Sequence, residues 1–204
     1  MRKSNYDKTP STVVGGRLWK GWESVLDKLK EACNGSELAH GVVVVECYQG
    51  VHPEELAKHL AALQPSLIIH SEMFFKGVEE IEAMTYPYLT DDRLFGRRAA
   101  FHYTDFLDES RMEVCREKIK AADGLVIVWG PGAACLVPEP DVLVYADMAR
   151  WEIQQRFRRR EINGLGVKNR EEAPSLHYKR GYFIDWNVCD DLKKQLLPKV
   201  DFWL

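Results

Sequence analysis

Apolar positions along this chain come in two alternating forms, stretches spaced at three and four residues and short unbroken β-branched blocks. Between Gly15-Gly16 and Asn34-Gly35, the residues Leu18, Trp19, Trp22, Val25, Leu26, Leu29 and Ala32 follow the first form and predict an amphipathic helix stopped by glycine. Trp19 and Trp22 share its apolar face and are expected in the core. Val42-Val43-Val44-Val45 follows the second form and predicts a strand buried on both faces. Pro53 then opens a helix with Glu54 and Glu55 in its first turn and Leu56, Leu60 and Leu63 as its stripe. The alternation continues with a strand at Leu67–His70, helices at Val78–Met84 and Arg111–Ala122, strands at Leu125–Trp129 and Val142–Tyr145, and a helix from Met148 to Ile162 closed by Asn163-Gly164. Residues 164–174 read as a surface loop, Arg180–Trp186 as an edge strand and Val188–Leu197 as a last helix.

This order predicts an α/β fold, a mostly parallel sheet with helices on both faces in three layers. One domain over 1–204 is expected: an N-terminal segment and helix (1–36), an α/β core (41–163), and a final loop, edge strand and helix (164–204). The blocks Val42–Val45, Leu125–Trp129 and Val142–Tyr145 are the most apolar and belong at the sheet centre.

Composition narrows the function classes. The 28 basic and 31 acidic side chains leave a net charge of -3, which supplies no field for nucleic acid. Five scattered cysteines without a CxxC pair argue for reduced thiols. The polar start, Met1 to Lys8, lacks the apolar core of a signal peptide, and the uncharged run 124–137 is shorter than the roughly 20 residues of a membrane span. A cytoplasmic protein without nucleic-acid or membrane partners is expected, with a homo-oligomer left open.

Ligands of open parallel sheets bind beyond the strands' carboxyl ends, which directs attention to 46–52, 70–76 and 130–135. The first has the outline of a phosphate loop, a buried strand, a turn and a helix entrance, but Gly50-Val51-His52 stands where phosphoryl transfer needs Gly-Lys-Ser/Thr. Weak anion binding without hydrolysis is expected there. Tyr48, Gln49, Gly50, Val51 and His52, with Arg150 and Arg156, are the candidate anion ligands, and Glu46, Glu72, Asp92, Gly130 and Asp147 the other pocket candidates. Asp91 and Asp92 also suit turn formation. Gly130-Pro131-Gly132-Ala133-Ala134-Cys135 approaches a dinucleotide fingerprint but lacks the third glycine and reads as a tight turn with no helix after it. His52 and His59 lack further ligands at metal-binding spacing, and no Gly-x-Ser-x-Gly elbow is present. On the 148–162 helix Arg150 falls on the side of Ile153 and Phe157, whereas Arg158 falls opposite, in solvent. Arg150 is therefore expected to be paired, with a carboxylate such as Glu46 or with a bound phosphate, and its loss to cost about 2 kcal/mol or more.

Several strings resemble a known family: Ser4-Asn5-Tyr6-Asp7-Lys8, Val45-Glu46-Cys47-Tyr48 with Gly50-Val51, Leu89-Thr90-Asp91-Asp92 with Phe95-Gly96-Arg97, and Val144-Tyr145-Ala146-Asp147-Met148-Ala149-Arg150-Trp151-Glu152-Ile153-Gln154-Gln155-Arg156. Together they resemble the N-terminal region of long bacterial class I mannose-6-phosphate isomerases. The resemblance implies cytosolic, metal-dependent interconversion of mannose 6-phosphate and fructose 6-phosphate in a cupin barrel holding zinc. That barrel would lie beyond Leu204, on the same or another chain, so no metal or catalytic residue carries over and no cofactor or isomerase activity is expected in this chain. The apolar ending, residues 200–204, suits such a junction. A fainter likeness is to uridine kinase-like phosphate-loop proteins, in which Ser71–Phe75 would be the acidic segment after the second strand and the arginine-rich helix after Asp147 the lid. The expected function is thus a kinase-like, non-phosphorylating domain associated with the isomerase, which binds a phosphosugar or nucleotide or serves regulation or assembly. The alternatives are a small nucleoside or sugar phosphotransferase with an unusual phosphate loop, and a structural partner.

Overall fold

The computed structural model describes residues 7, 9–13, 15–34 and 41–204. The string Ser4–Lys8, apart from Asp7, and the helix stop at Gly35 lie outside them. Five parallel strands, β1 (Val42–Cys47), β2 (Leu67–His70), β3 (Val126–Gly130), β4 (Val142–Ala146) and β5 (Phe202–Trp203), stand in the order β2-β3-β1-β4-β5. The three apolar blocks expected at the centre are there, with Val44 in register with Val128 and Leu143.

Strand alternation explains why valine is needed at both parities. Val43, Val45 and Cys47 pack with Leu29 of α1 (Trp22–Asn34) and with Leu56 and Leu60 of α2 (Pro53–Ala61). Val44 and Tyr48 face the second layer, which includes Ile81 of α3 (Val78–Leu89), Met112 of α4 (Glu109–Ala121) and Ile153 and Phe157 of α6 (Arg150–Arg158). A single turn, α5 (Ala133–Leu136), links β3 to β4. Among the described residues no helix is long and apolar enough to cross a membrane.

Four expectations need correction. The first helix begins at Trp22, so Trp19 is not on its face; Trp19 instead meets Phe202 edge-on at 6.3 Å, while Trp22 stacks on His59 at 4.1 Å. Helix α6 stops at Arg158 because Arg160 adopts a left-handed backbone (φ 58°) and the N–H groups of Arg160 and Glu161 return to the carbonyls of Phe157 and Arg156. Residues 164–174 are irregular but not a surface loop throughout, since Leu165 and Val167 are buried. The largest difference is at Arg180–Trp186, which is helical: α7 (Pro174–Arg180) runs through a π turn (Gly181–Asp185) into α8 (Trp186–Leu196). The edge strand is β5, on residues 202–203.

The π turn is held by a buried ion pair, Arg180 Nε to Asp185 Oδ1 at 3.2 Å, and Arg180 also donates to Thr85 Oγ1 of α3 and to the Leu165 carbonyl. Gly181 is required beside it, because a Cβ there would lie 2.6 Å from the Trp186 indole. Removing one member of such a pair leaves a charge stranded out of water. Arg180→Ala is accordingly expected to cost about 3–5 kcal/mol in urea unfolding, and a loss below about 1 kcal/mol would show that the pair does not hold the turn.

Candidate functional site

The carboxyl ends of β1, β3 and β4 meet around Glu46, which lies in register with Gly130 and Tyr145. Its side chain is only 2% exposed, and its two oxygens accept the backbone N–H groups of Gly132 (2.7 Å) and Ala134 (2.8 Å). The Gly-Pro-Gly turn is tight, as expected, although it does open a one-turn helix. Gly132 has φ 80°, and a Cβ there would fall 2.4 Å from the Tyr103 ring. Two convergent N–H groups at such a turn form an anion cradle. Here the cradle holds the protein's own carboxyl group. Burial raises the Glu46 carboxyl to about 8, with the two N–H groups pulling the other way.

The β1–α2 turn is closed in a similar way. Gln49 is buried and donates to Asp185 Oδ2 (3.0 Å), and that same oxygen accepts from Leu165 N (3.0 Å). The backbone of Gln49 lies beside the Cys189 thiol of α8. Gly50 has φ 97° and is walled by Ile153 and Ile162, whose carbons would lie 3.1 and 3.3 Å from an added Cβ. Arg156 is anchored, with Nη1 donating to the Gly50 carbonyl and Nε to Glu152 at 3.0 Å. Val51 packs on the α1–α2 layer, and His52 stands 3.6 Å from Glu161. At the α2 entrance Pro53 has no N–H, and Glu54 and Glu55 bring negative charge to the helix end that would attract a phosphate. A phosphate-loop nucleotide site would need a lysine and a hydroxyl at this helix entrance; Val51 and His52 stand there, and the guanidinium at the turn is spent on a carbonyl and a carboxylate.

A third group gathers at the ends of β1, β4 and β5. Tyr48 donates its hydroxyl to Asp190 Oδ1 (2.7 Å) and accepts from Arg150 Nη2 (2.9 Å). Arg150 pairs with Asp190 at 3.1 Å and lies over the Trp186 ring at 4.2 Å. Lys193 is bound to Asp147 at 2.8 Å and lies 5.0 Å from the Trp203 ring and 5.6 Å from that of Tyr48. Arg150 is therefore paired, but with Asp190 and Tyr48; Glu46 is engaged elsewhere. Burial pushes the Tyr48 phenol up.

The structure thus unites Tyr48, Arg150 and Asp147, places Glu46 with Gly130, and keeps Gln49, Gly50, Val51, His52 and Arg156 in a separate closed turn. Glu72 is exposed beside His70 at 3.6 Å, and Asp92 caps its own turn by accepting from Leu94 N and Phe95 N, both at 2.7 Å. Sequence reasoning missed Asp185, Trp186, Cys189, Asp190 and Lys193. All come from the helical run whose first half reads as a strand, and the signal that places them is the buried series Gly181, Ile184, Val188 at three and four. Among the described residues no three His, Cys, Asp or Glu side chains group as metal ligands.

Two substitutions test this geometry. Because Asp190 is half exposed and turns readily to water, Arg150→Ala is expected to cost about 1 kcal/mol, from the ring contact and the ion pair, and not the larger penalty of a stranded buried charge. Chemical denaturation checks it. The raised Glu46 carboxyl means that its contribution to stability is full below the ordinary 4.5 and is lost as pH climbs to about 8. Relative to Glu46→Gln, the native chain should therefore lose stability across that window by up to about 1.4 kcal/mol per pH unit. A difference between the two proteins that stays flat from pH 4.5 to 8 would contradict it.

No curated protein matches this chain at a significant level. Among solved structures, the chain is similar to a "putative fructose transport system kinase" from Silicibacter sp. TM1040, with 12% identity and a TM-score of 0.58 over 91% of this chain and all of that one. At that identity the likeness establishes a kinase-like fold. Neither comparison supports the isomerase resemblance. Residues 21–204 match the family described as a domain of unknown function (DUF8485), and the chain belongs to that family.

Proposed function

We propose that this is a kinase-like domain that does not transfer phosphate and serves as a binding or assembly module. The observation that carries the reading is internal bonding at both strand ends: Glu46 takes the N–H groups of Gly132 and Ala134, and the β1–α2 turn is tied through the Gln49 side chain to Asp185 and through the Gly50 carbonyl to Arg156. Charge developing on a transferred phosphoryl group needs a cation that is not otherwise committed. Arg150, Arg156 and Lys193, the cations in contact with Tyr48 or Gly50, are each held by a carboxylate.

A phosphosugar or nucleotide would have to displace these partners, so the weak anion binding expected at Tyr48–Pro53 becomes weaker still, no tighter than about 1 mM. The phosphotransferase alternative predicts otherwise. With magnesium-ATP and mannose 6-phosphate, fructose, fructose 6-phosphate or a nucleoside, the purified chain should release no ADP above the buffer blank. ADP formation that disappears in Lys193→Met or Arg150→Ala, with folding intact by circular dichroism, would replace this proposal by the phosphotransferase.

A further inference from the structure

The helical run that closes the strand ends also borders a groove of about 760 Å³, shared with α6 and the turn at 90–95. Phe157 and Arg158 come from α6, Tyr178 and Tyr182 from the helical run, and Leu94 and Phe95 from the turn. Phe95 is 71% and Tyr182 57% exposed, and Leu94 and Tyr178 are exposed as well. Single apolar side chains in water are ordinary, but four around one depression mark a contact surface.

The turn is built to hold its apolar pair outward. Asp92 accepts from the N–H groups of Leu94 and Phe95, and Lys179 donates to the carbonyls of Thr90 and Asp92. A surface ordered in advance loses little entropy when it is covered. Charge then selects the occupant. Among the described residues Arg158 meets the Gln155 side chain, at 3.4 Å, and the Trp151 ring, at 5.9 Å. Arg93, Arg97 and Arg98 flank Leu94 and Phe95, and among the described residues none of these four arginines has an ion-pair partner. Uncommitted positive charge thus stands at the groove in Arg158 and on the exposed turn that carries Leu94 and Phe95, where three arginines outnumber the exposed Asp91, on a chain whose net charge is -3.

A small-molecule pocket would gather several fixed polar atoms, whereas this groove offers mainly rings and aliphatic carbon. Tyrosine, phenylalanine and arginine around an apolar floor are the composition of a protein contact. We propose that the groove docks an acidic amphipathic segment of another protein, its leucine or aromatic side chains filling the depression and its carboxylates meeting Arg158 and the arginines of the turn. The proposal does not depend on the closed β1–α2 turn, and the ATP experiment and the one below can fail separately.

The test is selection of a random peptide display library, of about 16 residues to allow four helical turns, on the full chain. Enriched peptides should combine Asp or Glu with Leu, Phe or Trp at helical spacing. Their affinity should fall about tenfold or more in Phe95→Ala and Tyr182→Ala, both exposed positions whose loss leaves the fold intact, and in Arg158→Glu. It should also weaken as salt rises from about 0.05 to 0.5 M. Enrichment of basic peptides, no enrichment, or binding indifferent to the three substitutions overturns the proposal. So does self-association of the chain that the same substitutions abolish, which would make a second copy the occupant, or competition for the groove by ATP in place of peptide.

Discussion

Backbone N–H groups at the carboxyl end of a parallel sheet cannot be left without acceptors once helices cover them, and here Glu46 meets that demand at the middle of the sheet. The strand ends are organised around this choice. A carboxyl group on β1 can reach the Gly-Pro-Gly turn only because Glu46 lies opposite Gly130, and the turn can come close only because Gly132 carries no Cβ against Tyr103. A second such group, on Asp185, performs the corresponding task for Leu165 and Gln49, with Arg180 balancing its charge. Buried carboxyl groups are costly unless paired or hydrogen-bonded, so the two sites tie β1, the 163–167 segment and the C-terminal helices into one mutually dependent unit.

This has a direct bearing on ligands. An acceptor built into the chain competes with a free anion at an effective concentration that the folded geometry keeps high. A free anion at the Glu46 cradle would have to displace an acceptor from the same chain. The cradle's donors are already committed, and the acceptor they hold cannot diffuse away. The fold is kinase-like, and in this chain the turn after β1 is closed by bonds from within the protein.

The sheet centre was readable because its information is local. Unbroken valine blocks can be satisfied only by burial on both faces, and Pro53 with Glu54 and Glu55 marks a helix entrance whatever lies around it. The inward side of Arg150 was readable from helical period alone, but its partner was not, since Asp190 sits 40 residues on, in an element not yet placed. The same limit applies to Glu46. Nothing in Val45-Glu46-Cys47 says whether a carboxylate at a strand end faces a ligand or a turn 86 residues away. Tyr182-Phe183-Ile184 has strong strand propensity, and only tertiary packing overrides it.

That override has a geometric cause. In an α-helix, residues five apart point about 140° away from each other, so Arg180 and Asp185 would diverge. The i to i+5 period of a π turn brings them onto one side, where Arg180 faces Thr85 and Asp185 faces Gln49. The extra residue leaves Tyr182 exposed, facing the groove with Tyr178, whose ring lies parallel to it at 6.4 Å. One local change of winding thus serves both surfaces of the run. Its inner side supplies the acceptor that closes the β1–α2 turn, and its outer side carries the rings on which docking would depend. A substitution that restored regular α winding would disturb both, while Tyr182→Ala, which removes a ring and leaves the winding alone, separates them.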